Sequence, residues 1–136
     1  MATQSRATIV SGQARPASGL SLALDGRIIQ LFGLQAPPSR ARCATGHQSA
    51  PHDCGEAARA ALAARLHANA AISCSMPENA NRAAAPVAVC LDSTGVDLGG
   101  FLVGAGLALA DPAQGRDYVG AEGVARSLRV GLWHYR

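Results

Sequence analysis

Residues 19–33 have the sequence Gly-Leu-Ser-Leu-Ala-Leu-Asp-Gly-Arg-Ile-Ile-Gln-Leu-Phe-Gly, and this stretch decides the fold class. Its first three leucines alternate with small residues, which is the period of a half-buried strand. The dipeptide Asp25-Gly26 that follows is a strong signal for a two-residue hairpin turn. The apolar run after this turn predicts the return strand. We therefore expect a β-hairpin in which Ser21 lies opposite Gln30.

The rest of the chain predicts strands and helices on both sides of this hairpin. Asp53 and Glu56 have the spacing of a capping box, and Asp97 is placed to cap a later helix. Further strands are predicted at 7–14, around Ile72 and Cys74, and at 87–91 with Cys90 on the face opposite Val89. Helices are predicted at 54–68, 98–109 and 119–129, and loops at 35–53 and 76–86.

Length and composition favour one compact domain. The 136 residues are expected to form a single domain over 1–136, with residues 1–6 as a loose tail. Hydrophobic residues make up 49% of the chain and aromatic residues only 4%, so we expect a core that is built from small side chains and packs thinly.

The net charge of +3 permits nucleic-acid binding without indicating it. No apolar run approaches the ~20 residues of a membrane span. Trp133 is expected to pack in the core rather than stack on bases.

Four cysteines occur, at positions 43, 54, 74 and 90, and none belongs to a C-x-x-C motif. An even number in a small domain with a thin core indicates two disulfides and an oxidising compartment. A zinc site is the alternative, because Cys43, His47, His52 and Cys54 offer a Cys₂His₂ donor set within a short segment.

Several short motifs, in chain order, resemble those of staphylococcal-nuclease-like (thermonuclease) domains. The run Gln30-Leu-Phe-Gly-Leu-Gln-Ala-Pro37 resembles the family's R-L-F-G-I-D-A-P-E, and Arg82-x-x-x-Pro-Val-Ala-Val-Cys90 resembles its R-Y-G-R-P-V-A-V-C. The match covers about residues 12–133. It implies an α+β fold, a five-stranded OB-fold β-barrel with three α-helices. Further matching segments are Gly12-x-Ala14, Gly19-x-Ser-Leu22, Cys54-Gly-x-x-Ala58, Asp97-Leu98 and Gly131-Leu-Trp133.

Active members of this family bind Ca²⁺ through carboxylates, use a glutamate on the attacking water and place two arginines on the phosphoryl group. In this chain the carboxylate positions fall on Leu20 and Gln35, and the arginine positions fall on Gln30 and Ala85. The glutamate position falls on Pro38. None of these side chains carries a charge or acts as a base. The resemblance therefore implies the fold of a nuclease without its catalytic residues and without its calcium site.

The resemblance also implies how the cysteines pair. It joins Cys43 to Cys54 and Cys74 to Cys90, each bridge contributing about 2–4 kcal/mol to stability. Two disulfides suit an exported protein. We therefore expect a periplasmic or secreted domain from which an export segment has been removed.

The expected function is that of a non-catalytic binding or structural module for a protein or glycan partner. The candidate ligand cleft contains Leu20, Gln30 and Gln35, with Arg40 and Arg42 following the Pro37-Pro38 bend. One alternative is a non-cutting binder of single-stranded nucleic acid, which needs a basic groove with exposed aromatic residues. Another is a weak phosphodiester hydrolase with relocated residues. The carboxylates available for it are Asp92, Asp97, Asp111 and Asp117.

Overall fold

The structure, a computed structural model, describes residues 7–45, 51–77 and 85–135 and is of the mixed α+β class. The strands are β1 (Ala7–Pro16), β2 (Ser21–Leu24), β3 (Arg27–Leu31), β4 (Leu34–Gln35), β5 (Arg42–Cys43), β6 (His52–Asp53), β7 (Ala71–Pro77), β8 (Val87–Asp92) and β9 (Leu109–Ala110). The helices are α1 (Cys54–Ala68), α2 (Leu98–Gly104) and α3 (Val119–Leu128), followed by a 3₁₀ helix (Gly131–Tyr135).

The predicted hairpin is confirmed. Strands β2 and β3 pair antiparallel with Ser21 opposite Gln30, as the alternating pattern requires. The two turn residues both have positive φ, 49° at Asp25 and 86° at Gly26. Such turns match the right-handed twist of the strands that they join.

Strand β1 is shared between two partners. Its first part, residues 7–13, pairs with β7, and its last part, residues 14–16, pairs with β2. Strands β7 and β8 pair antiparallel, while β3 pairs with β8 in parallel at Gln30↔Val87 and Leu31↔Ala88. The five strands form one sheet whose order of pairing, β1-β2-β3-β8-β7, returns to β1.

The core lies inside this sheet and beneath α1. The predicted apolar face of α1 is confirmed, since Ala58, Leu62 and Leu66 are all buried. On β8 the buried face holds Ala88 and Cys90, whereas the larger Leu91 is 39% exposed. The buried side chains of β8 are thus small, and one of them forms the disulfide with Cys74. The core also contains Leu22, Leu24, Ile29, Ile72, Met76, Leu98, Leu102 and Leu132.

Side-chain caps set where the helices begin. The Asp53 carboxylate accepts a hydrogen bond from the Glu56 N–H at 3.0 Å, and α1 runs over the predicted residues. The Asp97 carboxylate accepts from the N–H groups of Gly99 and Gly100 at the start of α2. Among the residues described, no helix is long and apolar enough to cross a membrane.

Helix α2 ends earlier than predicted. It stops at Gly104 rather than near residue 109, because Gly106 adopts a positive φ of 71° that no α-helix accommodates. Leu109 then pairs with Gln35, so β9 and β4 form a small second sheet. The predicted loop 35–53 likewise contains β5 and β6, which pair with each other. The predictions for residues 1–6 and most of the loop 76–86 lie outside the described residues.

Both disulfides are present, Cys43–Cys54 and Cys74–Cys90, and these are the pairs that the resemblance implies. The zinc alternative is wrong for this structure, because its two thiolates are joined in the first bridge. His52 lies exposed in β6, and His47 lies outside the described residues.

Candidate functional site

The hairpin register brings the nuclease-like positions of β2, β3 and β8 next to one another. The Leu31 N–H donates to the Leu20 carbonyl at 2.9 Å, and the Gln30 N–H donates to the Pro86 carbonyl at 2.8 Å. Leu20, Gln30 and Ala85 therefore lie on neighbouring stretches of backbone. The sequence reasoning anticipated that Leu20 and Gln30 would be close, because the turn at Asp25-Gly26 determines the register.

A shallow groove of about 300 Å³, called here the β2–β3 groove, opens at this point. None of the described residues that line it carries a charge. Half of the lining side chains are polar hydroxyls or amides, and the other half are aliphatic. They are Ser18, Ser21, Gln30 and Gln114, with Leu20, Ile28, Leu31 and Leu34.

The polar side chains of the groove are partly held by local hydrogen bonds. The Ser18 and Ser21 hydroxyls are 2.6 Å apart, and the Ser18 hydroxyl also accepts from the Leu20 N–H at 3.2 Å. The Gln114 carbonyl oxygen accepts from the Gly33 N–H at 2.6 Å, which leaves its amide N–H groups for other partners. In the part of the chain described, the exposed side-chain amide of Gln30 has no hydrogen-bond partner. The groove thus presents neutral donors and acceptors beside an apolar floor.

The other predicted cleft residues do not line this groove. Gln35 is exposed in β4, where it pairs with Leu109. Arg40 is exposed in a turn, and Arg42 is exposed in β5 opposite Asp53. Arg40 and Arg42 thus lie on the segment that leads from β4 to β5. Their closeness in sequence to the Pro37-Pro38 bend does not bring them into the groove.

Gln114 is a groove residue that sequence reasoning missed. Its bond to the Gly33 N–H joins residues 81 positions apart, and no local pattern signals that contact. Leu34 was missed for a simpler reason, because it belongs to a two-residue strand too short to show periodicity.

The positions that match the family's calcium ligands do not fit Ca²⁺. This ion requires six to eight oxygen ligands, several of them carboxylates. Leu20 offers no side-chain oxygen, and Gln35 offers one neutral oxygen outside the groove. Pro38 is exposed and supplies only its backbone carbonyl, which accepts from the Ala41 N–H at 2.9 Å.

Asp92, one of the carboxylates considered for relocated chemistry, is held in a structural network. It accepts from Arg65 Nε at 2.8 Å, from the Thr94 hydroxyl at 2.7 Å and from the N–H groups of Thr94 and Val96. Burial opposes its ionisation, yet these hydrogen bonds outweigh burial and lower the pKa of Asp92 to about 2. A carboxylate this acidic is a poor general base at neutral pH.

Asp97 is likewise engaged, by the cap of α2 and by a tyrosine. The buried Tyr118 hydroxyl donates to both Asp97 oxygens, at 2.9 and 2.7 Å. Burial and the neighbouring Asp97 carboxylate raise the pKa of Tyr118 well above its usual value.

Asp111 accepts from the Ala113 N–H in a turn, and Asp117 is exposed. Within the described ranges, no group of three or more His, Cys, Asp or Glu side chains is arranged to hold a metal ion.

A second depression, of about 590 Å³, lies between α1 and the residues after α2. Its lining is mostly apolar, with Ala57, Ala61 and Leu107 among the contributors, together with the carboxylates of Asp53 and Glu56. Asp53 is already used as the cap of α1, and no position carried over from the nuclease-like motifs lies here. The β2–β3 groove therefore remains the candidate site.

Neither a scan against protein-family models nor a search of curated proteins finds a match to this chain.

Proposed function

We propose that this chain is a catalytically inactive, staphylococcal-nuclease-like domain that binds an uncharged segment of a glycan or a protein in the β2–β3 groove. The observation that carries the proposal is the neutral lining of that groove at the very positions where the resemblance requires charge. Leu20 and Gln30 there supply an apolar surface and a side-chain amide without a partner among the described residues. Among the described lining residues, a phosphodiester would find no cation to neutralise it.

An OB-fold β-barrel is the architecture that we propose for this module. The five-strand order of pairing, which returns to β1, supports it, as do the three helices. Barrels of this class commonly bind oligonucleotides or oligosaccharides on one face. Because the described lining of the groove carries no charged side chain, the oligosaccharide or a neutral peptide is the better match.

We further propose a periplasmic or secreted location. The two disulfides support this, since such bonds persist in oxidising compartments and are rare in reducing ones.

The loss of catalysis is tested by incubating the protein with single-stranded DNA and Ca²⁺, beside an active thermonuclease. We expect no cleavage above the buffer control, because both metal carboxylates, both arginines and the base are replaced. Removal of one preorganised donor alone lowers rates by ~10²–10³. Cleavage that a chelator abolishes would refute the proposal.

Binding is tested with arrays of neutral oligosaccharides and uncharged peptides, followed by titration at several salt concentrations. We expect a weak salt dependence, and we expect Gln30→Ala to weaken binding about tenfold through the loss of its amide hydrogen bonds. Gln35→Ala is the matched control, because the same side chain lies exposed outside the groove. A steep fall of affinity with salt would instead favour the nucleic-acid alternative.

A further inference from the structure

The fold fixes the orientation of the Gln114 carboxamide at the β2–β3 groove. The Gly33 N–H is a donor, so the Gln114 atom that it meets at 2.6 Å is the carbonyl oxygen. Gly33 is buried, and breaking this bond would leave a backbone donor to be satisfied elsewhere. With its oxygen held, Gln114 presents two amide N–H groups that have no acceptor among the described residues.

The other polar side chains of the groove are less constrained. The Ser18 and Ser21 hydroxyls share one hydrogen bond at 2.6 Å, so one hydroxyl hydrogen of this pair is left to donate. The exposed Gln30 carboxamide has no partner in the described part of the chain, so it is able to offer its oxygen or its N–H groups. The groove therefore combines donors held in place by the fold with one group that adapts to its ligand.

An uncharged peptide unit has the complementary set of groups. It carries one carbonyl oxygen, which accepts, and one N–H, which donates. Its carbonyl oxygen matches the fixed N–H groups of Gln114, and its N–H matches the oxygen of Gln30. Neither contact requires a charge, and none of the described lining residues carries one.

The apolar side of the groove separates a peptide from a glycan. Ile28 is 40% exposed and Leu20 is partly exposed, so aliphatic surface is open to a ligand there. An aliphatic side chain gains free energy by covering this surface, whereas sugar hydroxyls placed on it would lose water without gaining a partner. None of the described lining residues is aromatic, so they provide no ring on which a sugar could stack.

The bond between Gln114 and Gly33 also has a structural role. It joins the residue after β3 to the segment between β9 and α3, 81 positions further along the chain. That role uses the carbonyl oxygen alone, and a carboxylate oxygen would serve it equally well. The amide N–H groups are thus the part of the side chain that the structural role leaves unused.

We propose that the ligand of the β2–β3 groove is a peptide segment with an aliphatic side chain, and that Gln114 determines this specificity. Gln114 donates to a carbonyl oxygen of the peptide, and the Gln30 oxygen accepts a peptide N–H. The aliphatic side chain of the ligand covers Leu20 and Ile28. Gln114 has this role only if the groove is a binding site, as proposed above.

Three uncharged probes separate a peptide from a glycan. They are acetyl-Ala-Leu-Ala-amide, the same peptide with asparagine in place of leucine, and cellotetraose. Each is titrated into ¹⁵N-labelled protein, and the side-chain NH₂ resonances of Gln114 and Gln30 report on the groove. We expect saturable shifts with the leucine peptide, about tenfold weaker binding of the asparagine peptide through the loss of apolar contact, and no shift with cellotetraose.

The outcomes distinguish this specificity from the proposed binding role itself. Shifts with cellotetraose alone, or equal binding of the leucine and asparagine peptides, would overturn the assignment to an aliphatic peptide and leave the groove as a binding site. If none of the three probes shifts the two resonances, both proposals fail.

Gln114→Glu isolates the amide N–H groups, because glutamate still accepts from the Gly33 N–H but has no N–H to donate. We expect this variant to unfold at nearly the temperature of the parent protein and to bind the leucine peptide about tenfold more weakly, as the Gln30 resonance measures. Gln35→Glu is the matched control, since it introduces the same charge at an exposed glutamine outside the groove, and it should bind like the parent protein. The role of Gln114 is refuted if Gln114→Glu binds as tightly as the parent protein, or if Gln35→Glu loses as much affinity.

Discussion

At the residue scale, two glycines from distant parts of the chain touch through their backbones. Gly106 and Gly131 both have positive φ, 71° and 61°, and a Cβ on either one would collide with the backbone of the other segment. The Gly106 carbonyl accepts from the Leu132 N–H at 2.9 Å, and the Gly131 carbonyl accepts from the Ala44 N–H at 3.0 Å. This contact therefore ties the residues after α2, the 3₁₀ helix and the segment after β5 together.

Gly131→Ala should be strongly destabilising, because the new methyl group meets the Gly106 carbonyl as well as an unfavourable φ. We expect a loss of at least about 3 kcal/mol in the free energy of unfolding, measured by denaturant titration. Gly95→Ala is the matched control, since Gly95 has a φ of 86° with nothing within 4 Å of the new Cβ. It should lose only about 1 kcal/mol. Equal losses would contradict the steric argument.

Residues whose roles are local could be predicted from the sequence. The turn at Asp25-Gly26 and the cap at Asp53 follow from neighbours one to three positions away. The second role of Asp97, as acceptor for Tyr118, could not be predicted, because that partner lies 21 positions further along the chain. Trp133 is partly buried and packs against the core, as its sequence position and type predict.

At the element scale, one ion pair joins α1 to the end of β8. Arg65 of α1 reaches Asp92 across this junction, and its guanidinium also lies 5.0 Å from the ring centroid of Phe101 in α2. The Asp92 side chain is only 8% exposed, so its hydrogen bonds are well shielded from water. Three elements, α1, β8 and α2, thereby meet at the Arg65 guanidinium.

Asp92→Asn should cost about 2 kcal/mol of stability at neutral pH, because the carboxylate has a pKa of about 2 against an ordinary value of 3.8. A lowered pKa contributes stability that is present above the ordinary value and is lost as the pH falls towards about 2. The difference between the two proteins should therefore shrink between pH 4 and pH 2, as unfolding curves at a series of pH values can measure. Exposed Asp117→Asn should show little difference at any pH. A constant gap down to pH 2 would contradict the assignment.

Long, regular elements were predictable, and short ones were not. The residues of α1 combine a cap, an alanine-rich sequence and a clear apolar face, so the prediction matches the structure. The segment after Gly104 has the same apolar composition as α2, so composition alone does not mark the end of this helix. Strands β4 and β9 have two residues each and exist only because they pair with each other. Leu34, which lines the groove, belongs to β4 and was likewise not predictable until this pairing was known.

At the scale of the whole molecule, the two disulfides connect different parts of the fold. Cys74–Cys90 joins β7 to β8 inside the sheet, and Cys43–Cys54 joins β5 to the start of α1. All four cysteines are at most 3% exposed. Exchange requires a thiolate to reach a sulfur atom, so the folded protein shields both bonds.

Thiol labelling with mass detection tests this shielding. We expect no labelled thiol after treatment of the folded protein with a mild reductant, and four after the same treatment in denaturant. Denatured protein without reductant is the control and should show none. Free thiols in that control would contradict the disulfides themselves, while rapid reduction of the folded protein would contradict their shielding.

The short parallel pairing between β3 and β8 has a consequence for the groove. Only two residue pairs are in register there, compared with seven between β1 and β7. Cooperative units with few hydrogen bonds open first in native-state fluctuations. Because Gln30 and Leu31 lie both in this pairing and in the groove, a ligand bound there would hold β3, one of the two paired strands, in place. Occupancy would then slow amide exchange along β3 and β8, which couples recognition to the integrity of the sheet.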